Sequence, residues 1–155
     1  MSLRLVPEGL TLTIDAGRHT GWAIWAESTL TRCGLVDSDS ACLELHMPQC
    51  FDRVVIEIPC FQKGDSSKRV NDILVTARRG GYILGRLRPG PNVEIHYIDP
   101  HSWKGSVEKA VHNQRTRDRL TIEELGILAT ARIPPSLINN TLDAIGIGLV
   151  TLGRW

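Results

Sequence analysis

Three carboxylates lie at the end of, or within, apolar segments of the sequence. Asp15 ends the run Leu10–Asp15, and Glu57 lies inside Arg53–Ile58, a run with no polar face of its own. Asp143 stands near the start of an otherwise apolar helical segment. A lone buried carboxylate costs several kcal/mol unless it is paired, protonated or bound to metal. We therefore expect the three acids to meet in one site.

Three clustered carboxylates without a basic partner are typical of a site for Mg²⁺ or Mn²⁺. Two such ions together can activate a water and stabilise the leaving oxygen of a phosphodiester. Each acid also has a simpler interpretation. Asp15 could cap its turn, Glu57 could face solvent from an edge strand, and Asp143 could interact favourably with its helix dipole.

The composition predicts a globular protein with an uneven charge distribution. The chain has 155 residues, of which 42% are hydrophobic and 23% charged, with a net charge of +1, and its length predicts one domain. Between residues 60 and 119, twelve Lys or Arg stand against six Asp or Glu, and 14 of the 18 basic residues in the chain are Arg. A local excess of +6 favours binding of a polyanion such as nucleic acid, with a solvated basic face as the alternative.

The cysteines show no spacing typical of a metal site or of a disulfide framework. They are Cys33, Cys42, Cys50 and Cys60. We expect reduced thiols, with a zinc site that uses His46 as the weaker alternative. The sequence shows neither a membrane-length apolar run nor a signal peptide, so we expect a cytoplasmic protein.

Hydrophobic periodicity predicts a mixed sheet with helices packed on it. The predicted strands are Leu10–Asp15, Gly21–Glu27, Leu30–Val36, Arg53–Ile58 and Val93–Ile98. The first three follow one another closely, which predicts an antiparallel meander. The fourth is apolar on both faces, which predicts a central, buried, parallel strand.

Helical patterns occupy the segments between and after the later strands. The predicted helices are Ala41–Met47, Lys68–Arg88, Ser102–His112, Thr116–Ala131 and Leu142–Leu152. Ser66 and Ser67 could cap the long helix, and Gly80–Gly81 could bend it. We expect its inward stripe to consist of Val70, Ile73, Leu74, Ala77, Ile83, Leu84 and Leu87.

The last helix carries two features that bear on the site. Asn139 and Asn140 precede Asp143 and could cap the helix. Gly146 and Gly148 cost helix propensity, which makes sense if this helix must lie close against the sheet. Such close packing would carry Asp143 towards the two strand acids.

Three short motifs carry a resemblance to a known family. They are Ile14-Asp15-Ala16-Gly17 continuing through Thr20-Gly21-Trp22-Ala23, then Ile56-Glu57, and then Leu142-Asp143-Ala144-Ile145. In this order and spacing the chain resembles the RuvC-type Holliday junction resolvases of the RNase H-like nuclease superfamily, including divergent or bacteriophage members. Sugar kinases and actin-like ATPases also open with Asp-x-Gly, but they need a second phosphate loop and a chain about twice as long.

The resemblance implies an α/β fold with an RNase H-like mixed five-stranded sheet flanked by helices. It implies a homodimeric endonuclease that uses two Mg²⁺ or Mn²⁺ ions to cut four-way DNA junctions. Asp15, Glu57 and Asp143 would be the catalytic metal ligands, and Asn140 takes the family's fourth metal position. Two alternatives stay open: a nuclease for other branched DNA or RNA, and a non-catalytic nucleic-acid-binding relative with a decayed metal site.

The resemblance also implies a DNA-contacting surface around the acids. An aromatic wedge would follow the Glu strand, and basic side chains would contact phosphates. The residues in these positions are Phe61, Lys63, Lys68, Arg69, Lys104 and Lys109. Phe61 in the core and basic residues that are merely solvated are the alternatives.

Overall fold

The computed structural model describes residues 9–37 and 51–155. Its strands are β1 (Leu10–Asp15), β2 (His19–Ala26), β3 (Thr29–Asp37), β4 (Arg53–Glu57) and β5 (Glu94–Ile98). The α-helices of these ranges are α1 (Ser67–Leu87), α2 (Lys109–Asp118), α3 (Ile122–Thr130) and α4 (Ile138–Thr151). The predicted helix Ala41–Met47 lies outside the described residues, as do Cys42, His46 and Cys50.

The five strands form one mixed sheet in the order β3-β2-β1-β4-β5. The pairs β1–β2 and β2–β3 are antiparallel, whereas β1–β4 and β4–β5 are parallel. The predicted meander and the predicted central parallel strand are therefore both confirmed. β5 is one of the two outer strands in this order, and its Ile95 and Tyr97 side chains are exposed.

Alternation along β2 shows how the sheet separates two apolar layers, since successive strand side chains point to opposite faces. Trp22 and Ile24 pack in the layer that includes Ile83 of α1. Their neighbours Ala23 and Trp25 pack in the layer that contains buried side chains of α4. The sheet therefore has α1 on one face and α4 on the other.

Helix α1 begins where the sequence predicts. Ser66 is its N-cap, and its hydroxyl accepts from the Arg69 backbone N–H at 3.3 Å. The helix is continuous through Gly80–Gly81, and the bend predicted there stays a prediction. A Cβ at Gly80 would lie 3.3 Å from Ile58, which favours a small residue at this position. Leu74 was predicted to face inward but is 54% exposed.

The predicted helices Ser102–His112 and Thr116–Ala131 have the wrong boundaries. Residues 100–102 form a short 3-10 turn. The α-helices in this region are instead α2, which begins at Lys109, and α3, which begins at Ile122. The break arises because Thr121 and Glu124 form a capping box. The Thr121 hydroxyl accepts from the Glu124 N–H, and the Glu124 carboxylate accepts from the Thr121 N–H at 2.9 Å. Thr-x-x-Glu is the sequence signature of a helix start.

Helix α4 begins four residues earlier than predicted. A 3-10 turn at Pro135–Leu137 leads directly into Ile138, because proline fixes a backbone angle that suits the start of a helix. Asn139 and Asn140 therefore lie in the first turn of α4, and the prediction that they cap it is wrong. In residues 9–37 and 51–155, no helix combines the length and the apolar character needed to cross a membrane.

Candidate metal centre and nucleic-acid interface

The ends of β1 and β4 place two carboxylates side by side. The strands run parallel, and their register pairs Asp15 with Glu57. Each acid is the last residue of its strand, so both lie at the same end of the sheet, where these two parallel strands finish. Glu57 is buried, and Asp15 is half-buried. The two strand acids are therefore neighbours in the structure, as the sequence predicts.

Hydrogen bonds within the apolar layer hold helix α4, and with it Asp143, against the sheet. The Thr13 hydroxyl donates to the Ala144 carbonyl at 2.7 Å and accepts from Trp25 Nε1 at 3.1 Å. One turn earlier, the Thr141 hydroxyl donates to the Gly34 carbonyl at 3.0 Å. These bonds tie the N-terminal half of α4 to β1 and β3.

Glycines allow this close approach. A Cβ at Gly21 of β2 would collide with the backbone of Asn140, and one at Gly148 would collide with the Trp25 indole. The predicted packing of Gly148 against the sheet is therefore confirmed. Gly146 faces Trp103 instead, because a Cβ at this position would lie 2.6 Å from the indole. The absence of a side chain therefore makes room for Trp103, which is not part of the sheet.

The ammonium group of Lys104 lies between two of the acids. Its Nζ is 3.0 Å from both carboxylate oxygens of Glu57 and 3.2 Å from Oδ2 of Asp143. The adjacent Trp103 donates from Nε1 to Glu57 Oε2 at 3.0 Å. Lys104 was predicted to contact DNA, and the structure places it inside the acid cluster.

The electrostatics of the cluster show how strongly the acids affect one another. Burial and the negative charges of Glu57 and Asp143 raise the pKa of Asp15 well above its usual range. Burial also raises the pKa of Glu57, although Lys104 opposes this. Burial disfavours the charged form of Lys104, but the nearby carboxylates outweigh it and raise its pKa. The acids together therefore favour a cation among them.

The donor set fits a hard divalent cation, because three carboxylates supply oxygen ligands in a partly buried position. The Lys104 ammonium already acts as a stand-in cation for two of them. Among residues 9–37 and 51–155, no group of three or more His, Cys, Asp or Glu side chains has the arrangement of metal ligands. The side chains would thus have to move away from Lys104 to share an ion.

Asn140, the predicted fourth metal residue, lies in the first turn of α4. Its side-chain nitrogen donates to the Leu137 carbonyl at 3.4 Å. The sequence reasoning missed a different neighbour of Asp143. His112 of α2 is buried, and its Nε2 lies 3.5 Å from Asp143 Oδ1. No local pattern indicates this residue, since only the folding of α2 against α4 brings it to the acid.

Three aromatic rings pack against one another beside the acids. The His112 ring packs 4.9 Å from Trp103 and 5.2 Å from Trp155, and the two indoles are 5.5 Å apart. Arg154, next to Trp155, makes a bidentate pair with Glu124 at 2.7 Å for both contacts. Burial lowers the pKa of His112, although Asp143 opposes this, so the neutral imidazole is favoured.

The other predicted DNA-contacting residues lie on the surface. Phe61 is 57% exposed, so the alternative that places it in the core is wrong. Lys63, Lys68 and Lys109 are exposed. Arg69 is partly engaged: its Nε is 2.7 Å from an oxygen of Asp65, and its Nη2 is 3.0 Å from His101 Nε2.

The two cysteines in the described ranges are both free thiols. Cys33 is buried, and Cys60 is exposed. Burial raises the pKa of the Cys33 thiol to about 12, which makes it a poor nucleophile at neutral pH.

Comparisons with known proteins identify the fold. No protein-family model matches the chain, and no curated protein matches it either. Among solved structures, Thermus thermophilus RuvC in complex with a Holliday junction substrate superposes with a TM-score of 0.54 at 16% identity, over 91% of this chain and 91% of RuvC. The fowlpox virus Holliday junction resolvase gives a TM-score of 0.52 at 15% identity, over 93% and 97% of the two chains. The predicted RNase H-like sheet is thus confirmed, and the chain has the fold of the RuvC-type resolvases.

Proposed function

We propose that the chain is a divalent-metal-dependent endonuclease that cuts branched DNA, with the four-way junction as its principal substrate. The observation that carries the proposal is the meeting of three acids from three separate elements: Asp15 is the register partner of Glu57, and Glu57 and Asp143 share the Lys104 ammonium. Three convergent acids that need a cation match the requirements of phosphodiester hydrolysis. The junction is proposed because the similar folds belong to a RuvC bound to a Holliday junction substrate and to a Holliday junction resolvase.

Mg²⁺ or Mn²⁺, two ions in each site, would be held by Asp15, Glu57 and Asp143, with Asn140 as a further oxygen ligand. When bound, these ions supply water activation and charge neutralisation at the scissile phosphate. The residues of the chain do the rest. Trp103 orients the Glu57 carboxylate through its indole N–H, and Lys104, once released from the acids, becomes available to a phosphate oxygen.

The exposed residues around the site would hold the branched substrate. Phe61 projects from the loop after β4, where an apolar side chain can wedge between base steps and stabilise a bent junction. The phosphate contacts would come from basic residues near the ends of elements that surround the site, namely Lys63, Lys68, Arg69 and Lys109.

A homodimer would match the two-fold symmetry of a four-way junction, because two symmetric cuts require two sites. Helix α1 is our candidate for the dimer interface. Its Leu74, Val75 and Tyr82 side chains are 54%, 37% and 48% exposed. Sedimentation equilibrium of the full chain tests this part of the proposal: a monomer at all concentrations up to that used in cleavage would contradict it.

A cleavage panel tests the activity. Fluorescently labelled four-way junctions, flaps, linear duplexes and RNA–DNA hybrids are incubated with the full chain and Mg²⁺ or Mn²⁺. We expect paired symmetric cuts in the junction, no cutting in EDTA, and at least a thousandfold slower cutting by Asp15→Asn with junction binding retained. Glu123→Gln, which alters an exposed acid on α3, is the matched control and should cut like the wild type. Equal cutting of linear duplex would exclude junction selectivity, and full metal-dependent cutting by Asp15→Asn would exclude the proposed site.

The position of Lys104 favours a second candidate function, a nucleic-acid-binding protein without catalysis. Its ammonium neutralises part of the charge on Glu57 and Asp143 without a metal ion. Calorimetric titration with Mn²⁺ separates the two candidates. Binding that is lost in Asp15→Asn supports the nuclease, whereas the absence of any Mn²⁺ binding, together with tight junction binding, supports the non-catalytic protein.

A further inference from the structure

The imidazole of His112 is the most unusual polar group near the acid cluster. The residue is 4% exposed, and its ring is enclosed by Trp103 and Trp155. Among the described residues, its Nε2 atom is buried and has no hydrogen-bond partner. Buried polar side-chain atoms in native proteins are nearly always paired, so this exception needs an explanation.

The explanation lies in what the nitrogen faces. His112 Nε2 is 3.5 Å from Asp143 Oδ1, whereas Lys104 contacts the other oxygen of that carboxylate, Oδ2, at 3.2 Å. At 3.5 Å the contact is long for a hydrogen bond. It is close to the separation of about 3 Å between adjacent ligands of one octahedral ion.

We propose that His112 Nε2 is a ligand of the divalent cation that Asp143 binds, so that the metal centre combines three carboxylates with one imidazole. This inference rests on the proposed metal-dependent function. It adds a nitrogen ligand from α2 to the oxygen ligands of the proposed function.

An imidazole ligand changes which ions the site prefers. Nitrogen ligands suit first-row transition ions better than Mg²⁺ or Ca²⁺, which favour oxygen ligands alone. We therefore expect the wild-type chain to bind Mn²⁺ and Co²⁺ more tightly than Mg²⁺. Replacement of His112 by an amide should reduce that preference as well as the affinity.

A different role for the same residue makes a different prediction. His112 could donate an N–H to Asp143 and only orient it, in which case its nitrogen would never touch the ion. Substitution would then weaken metal binding without removing any metal–nitrogen interaction, because none existed. The two roles are therefore separated by a measurement that detects nitrogen bound directly to the metal.

Pulsed electron paramagnetic resonance of Mn²⁺ bound to the full chain provides that measurement. We expect a nitrogen coupling in the wild-type spectrum that changes to the ¹⁵N pattern in protein labelled with [¹⁵N]histidine. His112→Gln should lose the coupling and bind Mn²⁺ at least tenfold more weakly. His96→Gln, which alters an exposed histidine on β5, should keep both. If His112→Gln fails to fold, the labelled wild type still shows whether any histidine nitrogen binds the metal, and the absence of a coupling alone overturns the proposal.

The outcomes separate this inference from the function on which it rests. Mn²⁺ bound in an Asp15-dependent manner without histidine nitrogen coupling overturns the imidazole ligand and leaves the proposed nuclease intact. A coupling that persists in folded His112→Gln also overturns it. If the wild type binds no Mn²⁺, both the inference and the metal-dependent function are wrong.

Discussion

The hydroxyl of Thr13 donates to the backbone carbonyl of Ala144 at 2.7 Å, and this bond joins β1 to α4 beside the acids that they carry. Thr13 lies two residues before Asp15, and Ala144 directly follows Asp143. The same oxygen accepts the indole N–H of Trp25 at 3.1 Å. One buried hydroxyl therefore helps to set the separation between a strand acid and a helix acid.

Replacement of Thr13 by valine should destabilise the protein although the two side chains have nearly the same shape. The change leaves the Trp25 N–H buried without a partner, at about 1–3 kcal/mol, and removes one of the two hydrogen bonds of the Ala144 carbonyl, which keeps its bond within α4. We expect urea denaturation to show an unfolding free energy about 1–3 kcal/mol lower. Thr13→Ser, which keeps the hydroxyl, is the control and should lose less. Equal stability of Thr13→Val and wild type would exclude this account.

Two glycine substitutions should have opposite effects. Gly21→Ala places a Cβ against the backbone of Asn140, so it must displace α4 and should lower the unfolding free energy by about 3 kcal/mol. Gly81→Ala lies on α1 with open space around the new Cβ and should raise it by up to about 1 kcal/mol. Chemical denaturation measures both. A tolerated alanine at position 21 would show that α4 does not need this close approach.

Lys104→Met should separate stability from metal binding. Without metal, the change leaves Glu57 and Asp143 without their shared cation, and we expect a loss of about 3 kcal/mol at pH 8. With Mn²⁺ the variant should gain more thermal stability than the wild type, because no ammonium competes with the ion. Thermal unfolding in EDTA and in Mn²⁺ tests this. If the wild type gains as much as Lys104→Met, the ammonium does not compete with the metal.

The ion pair between Glu124 and Arg154 should stabilise the protein in a pH-dependent way. Burial raises the pKa of Glu124, but hydrogen bonds from Arg154, Leu30 and Thr121 outweigh it and hold the pKa below its ordinary value of about 4.5. A depressed folded-state pKa gives stability that is present above the unfolded-state pKa and is lost as the pH falls through the folded-state value.

Glu124→Gln tests this sign. The stability difference between wild type and variant should be constant near neutral pH and should shrink as the pH falls below about 4.5. Urea midpoints measured from pH 7 to pH 3 give the difference. A gap that stays constant or widens towards acid pH would show that the Glu124 charge is not the stabilising form.

Phe61→Ala should affect substrate choice without affecting the fold. The side chain is 57% exposed, so we expect a stability change within about 0.5 kcal/mol. If Phe61 wedges into the branch point, affinity for a four-way junction should fall about tenfold while affinity for linear duplex stays unchanged. Fluorescence anisotropy measures both, and Phe61→Trp should restore junction binding. Equal losses on junction and duplex would contradict the wedge.

The sequence predicted the sheet well because its strands carry their own patterns. Leu10–Asp15 is predicted to the residue, and the doubly apolar run around Glu57 indicates a central parallel strand. Helix boundaries were predicted less well. The Thr-x-x-Glu pattern of the capping box is present in the sequence at Thr121 and Glu124. The apolar periodicity continues across it, so the predicted helix did not begin there.

The side chains that surround the acids could not be predicted from the order of residues along the chain. His112, Trp103 and Lys104 reach Asp143 and Glu57 only because α2 and the turn after β5 fold against α4. No spacing rule links these residues, since tens of residues separate them from the strand acids. The resemblance implied a phosphate contact for Lys104, whereas its position among buried acids is a product of tertiary packing.

The two glycine contacts of α4 decide what would have to be carried over if this site were built into another protein. Gly21 meets the start of the helix, and Gly148 meets Trp25 near its other end. Contacts at both ends fix how far the helix can slide along the sheet as well as how deeply it lies. A graft of Asp15, Glu57 and Asp143 alone would leave the position of Asp143 along the sheet undefined. The three acids would therefore have to be transferred together with the two glycines.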